Sequence, residues 1–389
     1  MSADETLLTE VARGDTGSEI RKMFALAESY EGDLTRLEVG EPDFDTPEFV
    51  TDSAAESARD GATHYTPMAG IPPLREGIAE KMRRENAVEV EAEDIVVTNG
   101  GTEALLLALQ AVVGDGQQVV IPTPAWPTYT IQTNLVGGEA ITVPMDPDER
   151  FALDADRVCA EITDETAAVL LCSPSNPTGT IYEPDAVRQV AETAHAHDAV
   201  VIADEVYERL TFQGSREGIA GMVEHPESVV TINSFSKGYA MTGWRIGWLA
   251  SESTISEGAR RLHAGTTLSP SSVAQQAGLA ALEGPQDQFE EMIETYQSRC
   301  NHVADRLSEL PGIEAERPDG SFYLFVDIRG LGVDSATAAE ELLTEHGVAT
   351  VPGIGFGSSG EGHLRVSCAA SRDDLDAGVA KIEDYVNSL

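Results

Sequence analysis

"SVVTINSFSKGYAMTGWRIGWLAS", residues 228–251, decides how this chain reads. Its first seven residues are apolar and β-branched, as in a buried strand, and "RIGWLAS" (245–251) is a second such run. The connection between them is too short for a covering helix, so the second run is expected to lie antiparallel in the same sheet. Between the two stand Ser234, Ser236, Lys237 and Arg245. The chain of 389 residues has lysine only at 22, 81, 237 and 381. Two hydroxyls and a guanidinium can hold a phosphate, which leaves one amine over for chemistry. The other three lysines are expected to be ordinary surface residues.

Upstream, strands are expected at "DIVVT" (94–98), "QVVIPT" (118–123), "EAITVP" (139–144), "AAVLLCS" (167–173) and "AVVIADE" (199–205). Amphipathic stretches lie between most of them, clearest at 102–113 and 184–198. Short buried strands separated by helices predict an α/β fold whose large domain holds a mostly parallel seven-stranded sheet between helices. Beyond residue 250 helices dominate to about 310. Strands "SFYLFVDI" (321–328), "VATVP" and "HLRVSC", a helix over 335–347 and a terminal helix from Ser371 then predict a smaller α+β domain. The expected division is 1–45 joining the small domain, 46–284 as the large domain and 285–389 as the small one.

Composition narrows the function. There are 67 acidic against 25 basic residues, a formal net charge of −42, and the acids are spread along the chain. Such charge repels itself at low salt and is screened in molar salt, where the Debye length is about 3 Å. A salt-filled cytoplasm, as in a halophile, is the expectation. Nucleic-acid binding needs a basic footprint and is not expected. No apolar run reaches the roughly 20 residues of a membrane helix. The opening "MSADETLLTE" has neither the basic nor the apolar region of a secretory signal. The four cysteines form no CxxC pair. His195 and His197, two apart in a helix, fall on different faces and are not expected to share a metal.

Ligands of open α/β sheets bind beyond the carboxyl ends of the strands. After the first expected strand comes "NGGTEA" (99–104), with Gly100 and Gly101 leading into a helix whose free N–H groups attract an anion. Later strand ends carry "SPSNPTG" (173–179) and "DEVY" (204–207). Asp204 follows five apolar residues, so a buried carboxylate in need of a cation or donors is expected.

In this order, the glycine turn, SNPTG, DxxY and SxSK with an Arg eight residues on resemble the class I/II pyridoxal-phosphate aminotransferases of fold type I. The likeness extends to "LEVGEPDFDTP" (37–47), "HYTPMAGIPPLREGIA" (64–79), "PTPAWPTY" (122–129), "GSFYLFVD" (320–327) and "HLRVSCA" (363–369). The resemblance implies a homodimer with shared active sites and pyridoxal 5′-phosphate as cofactor. It implies that Lys237 condenses with the cofactor aldehyde and that Asp204 pairs with the ring nitrogen. Tyr207 and Asn176 would bond the phenolic oxygen, and Trp126 would stack on the ring. Gly100, Gly101, Thr102, Ser234, Ser236 and Arg245 would hold the phosphate, joined by Tyr65 of the partner subunit. Arg365 would pair with the substrate α-carboxylate, near Gly40, Trp126 and Asn176.

On this reading the lysine at 237 persists because a guanidinium cannot act as the condensing amine. The resemblance favours aspartate as amino donor and an oxo acid such as 2-oxoglutarate as acceptor. It also implies that some aspartate-using relatives carry a Lys just after the glycine turn, where this chain has Thr102, so alanine, aromatic and branched donors stay open. So does β-elimination on the same cofactor. A cofactor-sensing regulator would need a basic DNA-binding extension, for which no room is expected before "LEVGEPDF".

Overall fold

The computed structural model describes residues 19–389. The stretch "MSADETLLTE" and the rest of 1–18 lie outside the described residues. Twelve strands are described: β1 (Thr35–Arg36), β2 (Ile95–Thr98), β3 (Gln118–Thr123), β4 (Glu139–Pro144), β5 (Thr166–Cys172), β6 (Val200–Asp204), β7 (Val229–Ser234), β8 (Gly247–Ala250), β9 (Tyr323–Asp327), β10 (Val348–Ala349), β11 (Val351–Pro352) and β12 (His363–Ser367).

Seven of them form one sheet in the order β2-β8-β7-β6-β5-β3-β4. Neighbours from β7 to β4 run parallel. β8 runs antiparallel to both β2 and β7, with Trp248 opposite Val97 on one side and Asn233 on the other. The short 234–245 connection is what forces that direction, as expected from its length.

Both faces of the sheet are covered, and the period-2 alternation shows how. Ile202 of β6 packs with Leu105 and Leu109 of the helix Gly101–Val112. Its neighbours Val201 and Ala203 pack on the other face with Val187, Val190 and Ala194 of the helix Pro184–Ala196. A third cluster joins Leu74 and Ile78 of the helix Pro72–Asn86 to Val97 and Trp248. All seven residues of β5 are buried, which explains the unbroken apolar run "AAVLLC".

After the helices Ser253–Thr266, Ser272–Glu283 and Asp287–Leu307, the antiparallel sheet β11-β12-β9 forms, flanked by helices Ser335–Thr344 and Arg372–Ser388. The N-terminal segment returns to this region, because β1 pairs in parallel with β10. Ser371 caps the terminal helix by accepting from the Asp374 amide.

The surface expectation for the lysines fails at Lys81, which is 1% exposed. Its amine bonds Glu208 Oε1 at 2.5 Å and Asn86 Oδ1 at 2.8 Å. It also lies 6.0 Å from the Trp248 ring centre. Periodicity hid this, because a lysine on an amphipathic helix normally faces water. Here a glutamate 127 residues away supplies the counter-charge.

Candidate active site

The carboxyl ends of β2, β5, β6 and β7 open onto one cavity of about 360 Å³, closed from above by β12 and the segment after β1. Lys237, Asp204, Tyr207, Asn176, Trp126, Gly101, Thr102, Ser234, Ser236, Arg245, Arg365 and Gly40 all line it. Gly100 borders it through Arg245. Tyr65 stands apart, 87% exposed on the loop before the helix Pro72–Asn86.

One end is built for an anion. Gly100 has φ +87° and precedes the helix starting at Gly101. A Cβ on Gly100 would stand 2.8 Å from Arg245 Nη2, so both the turn and the close approach require glycine. Ser234 and Ser236 bring their hydroxyls within 2.7 Å of each other, and the Ser236 amide donates to Ser234 Oγ at 3.0 Å. Arg245 is itself steadied by donating to the Thr242 carbonyl at 2.8 Å. Helix N-terminus, hydroxyls and guanidinium form one cradle of donors.

In the middle, Asp204 ends β6 and is 4% exposed. Tyr129 donates to its Oδ2 at 2.7 Å and the Val206 amide to its Oδ1 at 3.3 Å. Burial pushes its carboxyl up to about 6, against the pull of these donors and of Lys237. A buried carboxylate this poorly compensated fits a cationic ring nitrogen as partner. Lys237 donates to the Gly40 carbonyl at 2.5 Å. Burial lowers its amine to about 8, helped by the positive charges of Arg365 and Arg245 and opposed by Glu41 and Asp204.

At the far end lies Arg365, 4% exposed in the middle of β12. It donates to Asn176 Oδ1 at 3.0 Å and the Glu38 carbonyl at 2.8 Å. Its Nε is buried without a hydrogen-bond partner. The guanidinium lies 4.3 Å from the Tyr323 ring centre and 5.0 Å from that of Phe356. A fixed planar fork with a donor to spare suits a carboxylate. Gly40 is glycine for space, since a Cβ there would meet the Tyr323 hydroxyl at 2.1 Å. That hydroxyl lies 3.3 Å from the Tyr207 hydroxyl, and burial with Tyr323 beside it raises the Tyr207 phenol well above its ordinary range.

Sequence reasoning missed several cavity residues. Tyr129 lies within the quoted "PTPAWPTY", yet its bond to Asp204 spans 75 residues and has no local signal. Tyr323 was hidden among the apolar residues of β9. Glu41, which accepts from Thr242 Oγ1, and Ile20 and Phe24, from the helix Glu19–Ser29, complete the wall.

This arrangement has counterparts in known proteins. Residues 32–382 match the family described as aminotransferase class I and II. The chain is 38% identical over 370 residues to the aspartate aminotransferase of Pyrococcus abyssi, covering 94% of this chain and 95% of that one. It is 36% identical over 370 residues to the aromatic-amino-acid aminotransferase 2 of Thermococcus litoralis, again covering 94% and 95%. The solved structure of the Thermus thermophilus aspartate aminotransferase with maleate superposes with a TM-score of 0.92 at 36% identity, covering 97% of this chain and 99% of that one. The chain belongs to the class I and II aminotransferases. It is a pyridoxal-phosphate-dependent enzyme that transfers amino groups.

Proposed function

We propose that this enzyme moves the amino group of an L-amino acid, with aspartate the first candidate, to an oxo acid such as 2-oxoglutarate, using the residues gathered in the 360 Å³ cavity. The observation that carries the reading is the alignment of anion cradle, lysine, buried aspartate and unsatisfied arginine along one cavity. When bound, pyridoxal phosphate supplies an aldehyde for amines and a protonated ring that draws electrons from the substrate Cα.

The cradle of Gly100, Gly101, Thr102, Ser234, Ser236 and Arg245 would hold the phosphate. Asp204 would accept from the ring N–H and keep that proton in place, with Tyr129 holding the carboxylate in orientation. Trp126 would pack on the ring, and Tyr207 with Asn176 would bond its phenolic oxygen. Arg365 fixes the substrate carboxylate and thereby presents the Cα–H bond to Lys237. Lys237, with its amine near 8, is neutral in a useful fraction at mildly alkaline pH. Its amine would supply the nucleophile for the cofactor aldehyde and, when free, the base for the Cα proton.

Tyr65, exposed in the single chain, reaches the phosphate site of a partner subunit, so the working unit is a homodimer. The charge of −42 suits a salt-rich cytoplasm. The division into a large domain of 46–284 and a small one of 285–389 joined by residues up to 45 places the cavity between the two.

Aspartate is favoured by the names of several relatives. An aromatic donor is the second reading, because Ile20 and Phe24 make part of the cavity wall apolar and Thr102 carries no charge. A panel of amino donors with 2-oxoglutarate in molar KCl tests both. Glutamate formed fastest from aspartate supports the first reading, and fastest from phenylalanine or tyrosine the second. Pyruvate and ammonia without an acceptor would mean elimination and overturn both.

A further inference from the structure

We propose that His195, His225 and Glu227 form a binding site for a divalent metal ion of the zinc type, separate from the cofactor cavity. His195 is in the last turn of the helix Pro184–Ala196, and His225 and Glu227 lie in the turn that enters β7. The site is thus at the amino end of β7, and the cofactor cavity at its carboxyl end. Six residues of strand separate the two, roughly 20 Å.

The spacing of His195 and His197 points away from a metal. His197 turns to Asp164, at 2.8 Å. The partner of His195 is 30 residues off in sequence: its ring stacks on that of His225 with centres 3.7 Å apart and planes 7° from parallel. One nitrogen from each ring and one Glu227 oxygen all lie within 4.8 Å of one another. Bonds of 2.0–2.2 Å place tetrahedral ligand atoms roughly 3.4 Å apart. Closure therefore needs a contraction of little more than an ångström, with the stacked rings splaying so that each points at the ion. His225 Nδ1 and Glu227 Oε1 already stand 3.0 Å apart. The three side chains are partly or largely exposed, so they are free to make that adjustment and open to water as a fourth ligand. Ser228 Oγ also lies 2.9 Å from His195 Nδ1.

The donor set selects the ion. Two imidazoles and one carboxylate suit Zn²⁺, Ni²⁺ or Cu²⁺, whereas K⁺, Mg²⁺ and Ca²⁺ prefer oxygen. That distinction matters in a chain with 67 acidic residues, whose exposed carboxylates attract any cation. An ion held here would tie the helix Pro184–Ala196 to the entry of β7 and stabilise the folded chain by mass action.

The test uses the untagged holoenzyme, stripped with a chelator and dialysed into molar KCl with millimolar Mg²⁺ to occupy carboxylates. Zn²⁺ is titrated against a chromophoric chelator. The proposal predicts one tight Zn²⁺ per chain, weakened at least tenfold in His195→Ala and in His225→Ala and unchanged in His197→Ala. Circular dichroism confirms that each variant is folded, and Glu227→Gln gives a milder probe that leaves both rings. Zn²⁺ that Mg²⁺ displaces, or that binds equally to the His195→Ala/His225→Ala double variant, would overturn the site and mean carboxylate binding only.

Discussion

Asp204→Asn should make the cofactor-free protein more stable and the cofactor-loaded protein worse. Asp204 is 4% exposed, and its carboxyl is raised from 3.8 to about 6 chiefly by burial. A folded-state value above the unfolded one means that the folded chain binds the extra proton between pH 4 and 6, so stability falls as pH rises through that window. Two units correspond to about 3 kcal/mol of destabilisation above pH 6. Asparagine removes the charge, but an amide NH₂ must then face either the Tyr129 hydroxyl or the Val206 amide, which costs about 1 kcal/mol. The net expectation is a gain of about 1–2 kcal/mol at pH 8 and none, or a small loss, at pH 4.5. The assay is urea unfolding of both cofactor-free proteins in molar KCl at the two pH values. With cofactor the proposed pairing of Asp204 with the ring N–H predicts the reverse order, and turnover should fall by several orders of magnitude. A variant destabilised equally at both pH values would refute the claim that Asp204 is held charged at a cost until the cofactor binds.

Four further outcomes are expected from the geometry and the charge. Lys81→Met leaves the Glu208 carboxylate buried without its cation and should destabilise by about 3–5 kcal/mol in urea unfolding, while Lys81→Met with Glu208→Leu recovers much of the loss. The rate at which the cofactor-free protein takes up pyridoxal phosphate should rise about tenfold per pH unit up to about 8 and flatten above it, because only the neutral Lys237 amine reacts. Arg365→Met removes the larger of the two nearby cations and should move that break to higher pH, as followed by stopped-flow absorbance. Dilution from molar to millimolar KCl should dissociate the proposed dimer and release cofactor, with excess pyridoxal phosphate opposing the change. Light scattering and absorbance report it, and a dimer intact in millimolar salt would contradict the role given to the charge of −42.

The large sheet was legible because each strand is a short apolar run with its own turn, and because the length of the 234–245 connection excluded a parallel return. Most of the residues that line the cavity were legible for a related reason: they sit at or within a few positions of the carboxyl end of such a run, where open α/β sheets bind ligands. What stayed hidden depends on pairs far apart in the chain. Tyr129 meets Asp204, Lys81 meets Glu208 and His195 meets His225 only once the sheet is assembled. Lys81 was misread for a physical reason. Its helix has the ordinary amphipathic pattern, and nothing local says that Glu208 will approach the buried face. Gly40 was expected near the substrate carboxylate, but its need for room beside Tyr323 appears only in three dimensions.

The central claim is that Lys237 is the amine that carries the cofactor. Borohydride reduction of the purified yellow protein, followed by digestion and mass spectrometry, tests it most directly. The account predicts the cofactor covalently fixed to one peptide, the one containing Lys237, with loss of the visible absorbance. Cofactor fixed at Lys22, Lys81 or Lys381, or released unattached, would contradict it.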